Sequence, residues 1–91
     1  MSTYHFARYD QEIALMEAAS AHLVMMAKGY LENPEDIETQ EYLVRAGSAY
    51  MALSESGTDW SELARLARQV RLYGASDAEK IREQVEYIES L

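Results

Sequence analysis

Phe6, Tyr9, Ile13, Met16, Ser20, Leu23, Ala27 and Tyr30 follow one another in alternating steps of three and four. That spacing lines up one side of an α-helix. Asn33-Pro34 breaks the run, and beyond it Leu43, Gly47, Tyr50 and Ser54 repeat the same steps, flanked by Ile37, Val44 and Met51. Two long helices joined at a single breaker, each with an apolar side to hide, predict an antiparallel hairpin. Folding about residues 33–34 sets Tyr30 level with Ile37, Leu23 with Val44, Ser20 with Gly47 and Met16 with Met51. Ala18-Ala19-Ser20-Ala21 then faces Ala46-Gly47-Ser48-Ala49, and small side chains at one level let helix axes approach closer than the usual ~8–10 Å. Gly47 costs about 1 kcal/mol against alanine inside a helix, so it is expected to be a contact residue, set against the first helix.

Boundary signals complete an all-α fold. The first helix is expected over residues 3–31, because Phe6 and Tyr9 keep the phase of the stripe. Asn33 reads as an N-cap, Pro34 as the first helical residue, and Glu35 and Asp36 as acids favoured by the helix dipole; the second helix is placed over residues 34–55. Glu41 and Arg45 are spaced to pair on its outer side. Asp59 with Glu62 three residues on reads as a cap for a third helix over 60–73, whose stripe is Trp60, Leu63, Leu66, Ala67, Val70 and Tyr73. Gly74 is the expected stop, and Ser76 with Glu79 opens a fourth helix over 77–90, striped by Ala78, Ile81, Val85 and Ile88. The expected architecture is a single domain, residues 1–91: a four-helix bundle with two long helices as an antiparallel hairpin plus two shorter C-terminal helices.

A chain of 91 residues buries somewhat over ~60% of the surface it exposes when unfolded, so the core is thin. It contains no cysteine, which removes any disulfide framework or thiolate metal site. Residues 1–10 lack an apolar segment and the longest apolar run is Leu23 to Ala27, so neither a signal peptide nor a membrane span is expected, and a cytoplasmic location follows. The formal net charge is −8, and residues 1–60 carry three basic and ten acidic side chains. Such a field repels nucleic-acid phosphates and anionic lipid surfaces and favours a protein partner with a basic surface.

Candidate sites divide by chemistry. No glycine-rich phosphate loop, cysteine nucleophile or distinctive carboxylate pair is present, so no catalytic residue and no cofactor is expected. His5 and His22 are 17 positions apart with no ligand spacing around them, so no metal site is expected. Glu17, Glu32, Glu35, Asp36, Glu38 and Glu41 are the candidate acidic face for a partner. Leu15, Ala18, His22 and Met25 form a second apolar row on the first helix, a candidate self-interface of a homodimer if the short helices leave it uncovered. Tyr42 and Tyr87 fall off the core stripes. Arg65, Arg68 and Arg71 form a basic strip, expected to pair internally, Arg71 with Glu79 and the other two towards Glu83 and Glu86. A helix-turn-helix about Gly74 would present Asp77, Glu79, Glu83, Glu86 and Glu89 against only Lys80 and Arg82, which disfavours DNA. The sequence thus predicts a non-enzymatic protein-interaction module, a small acidic regulatory or inhibitory binder and, in its sharpest form, a nucleic-acid mimic of the kind phages and mobile elements use. The alternatives are a DNA-binding transcriptional regulator using the last two helices and a small helical enzyme.

Overall fold

The computed structural model describes residues 3–53, 58–73 and 78–91, with side chains described at 11–53, 58–71 and 78–91. The protein is all-α: α1 Thr3–Glu32, α2 Ile37–Leu53, α3 Asp59–Arg68, α4 Val70–Tyr73 and α5 Ala78–Glu89. There is no strand among the described residues, and no helix there is long and apolar enough to cross a membrane. The expected stop at Gly74 and cap at Ser76 lie outside the described residues, as does the end expected for the second helix beyond Leu53.

The connection from α1 to α2 corrects the expected start of the second helix. Asn33 does not cap it and Pro34 is not its first residue. The Asp36 N–H donates to the Asn33 carbonyl at 3.1 Å, closing a turn with Pro34 at its second position, where the fixed φ of proline is also favoured. Asp36 is the residue that caps: its Oδ2 accepts from the Thr39 N–H at 3.3 Å, and its carbonyl accepts the first helical bond, from Gln40 N–H at 3.1 Å. Gln40 Nε2 donates to the Pro34 carbonyl at 2.7 Å and locks the turn onto the helix.

The third helix is likewise shifted and interrupted. Thr58, rather than Asp59, is the N-cap: its Oγ1 accepts from the Ser61 N–H at 3.0 Å while the Thr58 N–H donates to Ser61 Oγ at 3.2 Å. This reciprocal capping box uses Ser61 in place of the usual Glu or Gln. At Gln69 the backbone tightens to an i to i−3 bond with the Leu66 carbonyl, 3.2 Å, so the expected helix over 60–73 is α3 followed by the single turn α4.

Every helix contributes to one core: Leu23, Ala27 and Tyr30 from α1, Leu43, Ala46 and Tyr50 from α2, Leu63, Ala64, Leu66 and Ala67 from α3, Val70 from α4, and Ile81, Val85 and Ile88 from α5. Leu63, Leu66, Ala67 and Val70 of the expected third stripe and Ile81, Val85 and Ile88 of the expected fourth are buried, whereas Trp60 and Ala78 are half-buried and Ala64, outside the expected stripe, is buried. Among the described side chains of the α1 stripe, Leu23, Ala27 and Tyr30 are buried and Ile13, Met16 and Ser20 are not, and in α2 the flanking Ile37 is 68% exposed.

α2 packs against both α1 and α3, and this relocates the expected small-residue contact. A β-carbon at Gly47 would stand 2.9 Å from the Ala64 carbonyl oxygen and 3.0 Å from the Ala67 β-carbon. Gly47 is thus a contact residue, but its close approach is to α3. Ala18, Ala21, Ser48 and Ala49 are exposed, so the two small stretches do not bury one another.

α1 is far longer than the body it belongs to. At 30 residues it spans about 45 Å, against about 26 Å for the 17 residues of α2. The first buried residue among its described side chains is Leu23. The chain measures 51 × 26 × 19 Å with a radius of gyration of 14.4 Å, whereas a compact domain of this length has about 12 Å. The N-terminal half of α1 projects from the core.

Candidate functional site

The core stripe of α1 does not end where the core ends. Turning 100° per residue, Met16 and Ser20 stay in phase with Leu23, Ala27 and Tyr30, yet among the described side chains none of this helix before Leu23 is fully buried. Met16, Ser20 and Val24 are half-buried, and Ile13, Glu17 and Ala21 are exposed. These six residues, on three successive turns, form one wall of a groove. Tyr50 of α2, Thr58 and Trp60 at the start of α3 and Ile88 of α5 form the other, and the space between encloses about 770 Å³.

The hydroxyls of this groove are engaged within the chain. Tyr50 is only 2% exposed, and its hydroxyl lies 2.9 Å from Thr58 Oγ1, which lies 2.7 Å from Ser61 Oγ and caps α3. Ser20 Oγ donates to the Met16 carbonyl at 2.9 Å. Gln84 Nε2 donates to the Asp59 carbonyl at 2.9 Å, fastening α5 to the start of α3 beside the groove. Glu17 is the one charged side chain in the described lining. The groove therefore offers a partner apolar surface, with its hydroxyls already satisfied.

The six acidic residues singled out from sequence do not form one face. Glu32, Glu35, Asp36, Glu38 and Glu41 gather along the α1–α2 turn and the first turns of α2, whereas Glu17 stands in the groove, about 22 Å from Glu32 along the axis of α1. Three of the five at the turn have partners. Asp36 caps α2. Glu38 Oε1 accepts from the Tyr42 hydroxyl at 3.0 Å, which raises the Tyr42 pKa because the bond and the carboxylate charge both favour the neutral phenol. Glu41 pairs with Arg71, in place of the expected Glu41–Arg45 pair.

The basic strip is engaged differently from expectation. Arg65 pairs with Glu62, Nη2 to Oε1 at 2.6 Å and Nε to Oε2 at 3.1 Å, and this holds the Glu62 carboxyl below its ordinary pKa. Arg71 reaches α2 rather than Glu79, and Glu79 lies instead 3.9 Å from Arg82. Lys28 of α1 pairs with Glu89 of α5 at 2.5 Å.

Leu15, Ala18, His22 and Met25 are all exposed, Leu15 by 56% and Met25 by 61%, and the neighbouring Gly29 has open space where a β-carbon would stand. The C-terminal helices leave this row uncovered. It lies about 150° around α1 from the groove wall, on the back of the same helix. Among the described residues, no three His, Asp or Glu side chains are grouped as a metal site would need.

Sequence reasoning assigned Ile13 and Met16 to the core and did not find Thr58, Trp60 or Ile88 as lining residues. The groove is assembled from four elements, so no local spacing marks it. The one available sign was that the α1 stripe is longer than anything the rest of the chain could cover. No family model matches this chain, and neither a curated protein nor a solved structure matches it.

Proposed function

We propose that this chain is a non-enzymatic protein-interaction module that receives an apolar helix in the groove along α1. The observation that carries this reading is the lining itself: three turns of helix and the sole tryptophan, Trp60, present apolar surface whose neighbouring hydroxyls are bonded within the chain. Such a surface gains free energy by excluding water and accepts the i, i+3, i+4, i+7 anchors of an amphipathic helix. In this reading α1 and α2 form an antiparallel hairpin, and α3 with α4, then α5, act as the two shorter helices of a four-helix bundle. The short connection through Asn33 and Asp36 and the shared core support that arrangement.

A second reading, the acidic binder that meets a basic protein surface, is favoured by the gathering of Glu32, Glu35 and Glu38 at the α1–α2 turn. It has less support, because Asp36, Glu38 and Glu41 already serve internal bonds. DNA binding through the C-terminal helices has less again, since Arg65 and Arg71 are paired with carboxylates.

The test uses N-phenyl-1-naphthylamine, a neutral apolar probe, with energy transfer from Trp60, at a dilution where sedimentation shows a monomer. Transfer is expected with wild type and with Glu35→Lys, and is expected to be lost with Ala21→Glu, which places a charge at an exposed groove position. A folded monomer that binds no probe, or an Ala21→Glu variant that binds as well as wild type, overturns the reading.

A further inference from the structure

We infer that the helix received by the groove is α1 of a second copy of this chain, so that two copies exchange their projecting N-terminal halves about a twofold axis. This rests on the proposed interaction module and names its partner.

The groove and a helix suited to it occur on the same chain and are continuous with each other. Ile13, Met16 and Ser20 belong to the groove wall and also to the apolar stripe of the projecting half of α1. A twofold axis crossing two α1 helices antiparallel near these residues therefore sets each stripe against the other wall, the self-complementary arrangement of an isologous interface. Ser20 and Ala21 are small enough to let the helix axes come close at the crossing, and each projecting half then runs on towards Trp60 and Ile88 of its partner. Thr3–Glu32 is long enough for both tasks: the part from Ala19 onward serves its own core, and the turns that precede it are left for the other copy.

The surface area agrees in size. The chain exposes 6142 Å², whereas a compact monomer of 10.4 kDa exposes about 5,400 Å². The excess is close to the ~800 Å² that each partner contributes to a standard interface.

Charge separates this partner from a basic one. Two copies at −8 each repel, so salt, by screening, strengthens exchange of α1, whereas it weakens docking to a basic surface.

The deciding experiment is sedimentation equilibrium of the full chain at 50 and 500 mM salt, with helicity checked by circular dichroism, on wild type, Ile13→Glu and Leu15→Glu. The two substitutions are two residues apart on the projecting helix, at exposed positions outside the core, on the groove side and on the back row respectively. Expected are a wild-type mass of twice the chain mass, tighter association at high salt, self-affinity weakened roughly 100-fold or more by Ile13→Glu because each dimer would bury two carboxylates, and an effect of Leu15→Glu within about threefold, as for a surface change. A dimer broken by Leu15→Glu and spared by Ile13→Glu overturns the inference and places the seam on the Leu15, Ala18, His22 and Met25 row. A wild-type monomer that binds the naphthylamine probe also overturns it and leaves the interaction reading standing, with a foreign helix as the occupant. A folded monomer that binds no probe takes both down.

Discussion

Gly47 of α2 lies against the backbone of Ala64 in α3, so close that a β-carbon would come within 2.9 Å of the Ala64 carbonyl oxygen. The opposing atom is main chain, which cannot swing aside as the end of a flexible side chain could, and the next neighbour is the β-carbon of Ala67 at 3.0 Å. Glycine here sets how near α2 and α3 stand. Gly47→Ala would gain about 1 kcal/mol of helix propensity and incur an overpacking cost of about 1–3 kcal/mol. Net destabilisation of about 1 kcal/mol is expected, read as a lower urea midpoint at unchanged slope. A stabilised variant would mean that the two helices can part freely.

Thr58 and Tyr50 form one unit, because the hydroxyl that caps α3 also meets the Tyr50 phenol. Thr58→Ala is expected to cost about 1–2 kcal/mol through the lost cap, and Tyr50→Phe about 0.5–1.5 kcal/mol through the lost hydrogen bond. Because the two share a bond, the double variant should lose less than the sum of the single ones. A double-mutant cycle by denaturant unfolding measures the difference, and strict additivity would separate the cap from the phenol.

The start of α2 can be assigned by two alanine substitutions. Asp36→Ala removes the acceptor of the Thr39 N–H and is expected to cost about 1 kcal/mol. Asn33 contributes its carbonyl to the turn, so Asn33→Ala should stay within about 0.5 kcal/mol, as surface changes do. The reverse order in thermal unfolding would restore Asn33 as the cap.

Glu62 gives the fold a small acid sensitivity. Its folded pKa is lowered, chiefly by the hydrogen bond from Arg65, so the contribution is present in full above the unfolded value of about 4.3 and is lost as pH falls through the lowered folded value. The pair is half-exposed, which limits it to less than about 1 kcal/mol. Wild type should exceed Glu62→Gln in urea stability at pH 7, and that margin should shrink progressively as pH falls below the unfolded value; a margin that did not shrink with acidification would show that ionisation of Glu62 is not its source.

Helix identity was legible because burial imposes a period on residue type. The stripes Leu63, Leu66, Ala67 and Val70, and Ile81, Val85 and Ile88, were readable as core and are buried. Helix starts were less legible where two capping residues stand near each other. Asn33 and Asp36 can both accept from a helix N-terminus, and Thr58 and Asp59 are adjacent. The choice went to Asp36 because Pro34 is at least as well used inside a turn, and to Thr58 because Ser61 returns its bond. The groove was not legible, since its two walls meet only after α1, α2, α3 and α5 have packed.

The amino-acid sequence by itself determined that the chain is helical, most of the core residues of α3 and α5, and that α1 carries more apolar surface than an ordinary amphipathic helix, because period and side-chain type are local properties. Tertiary structure decided which neighbour each face meets. It set Gly47 against α3, gave Glu41 to Arg71, and left Ile13 and Met16 beyond the reach of the core. These outcomes depend on relative helix lengths and on competition among several partners for one surface, and no single stretch of sequence contains that competition.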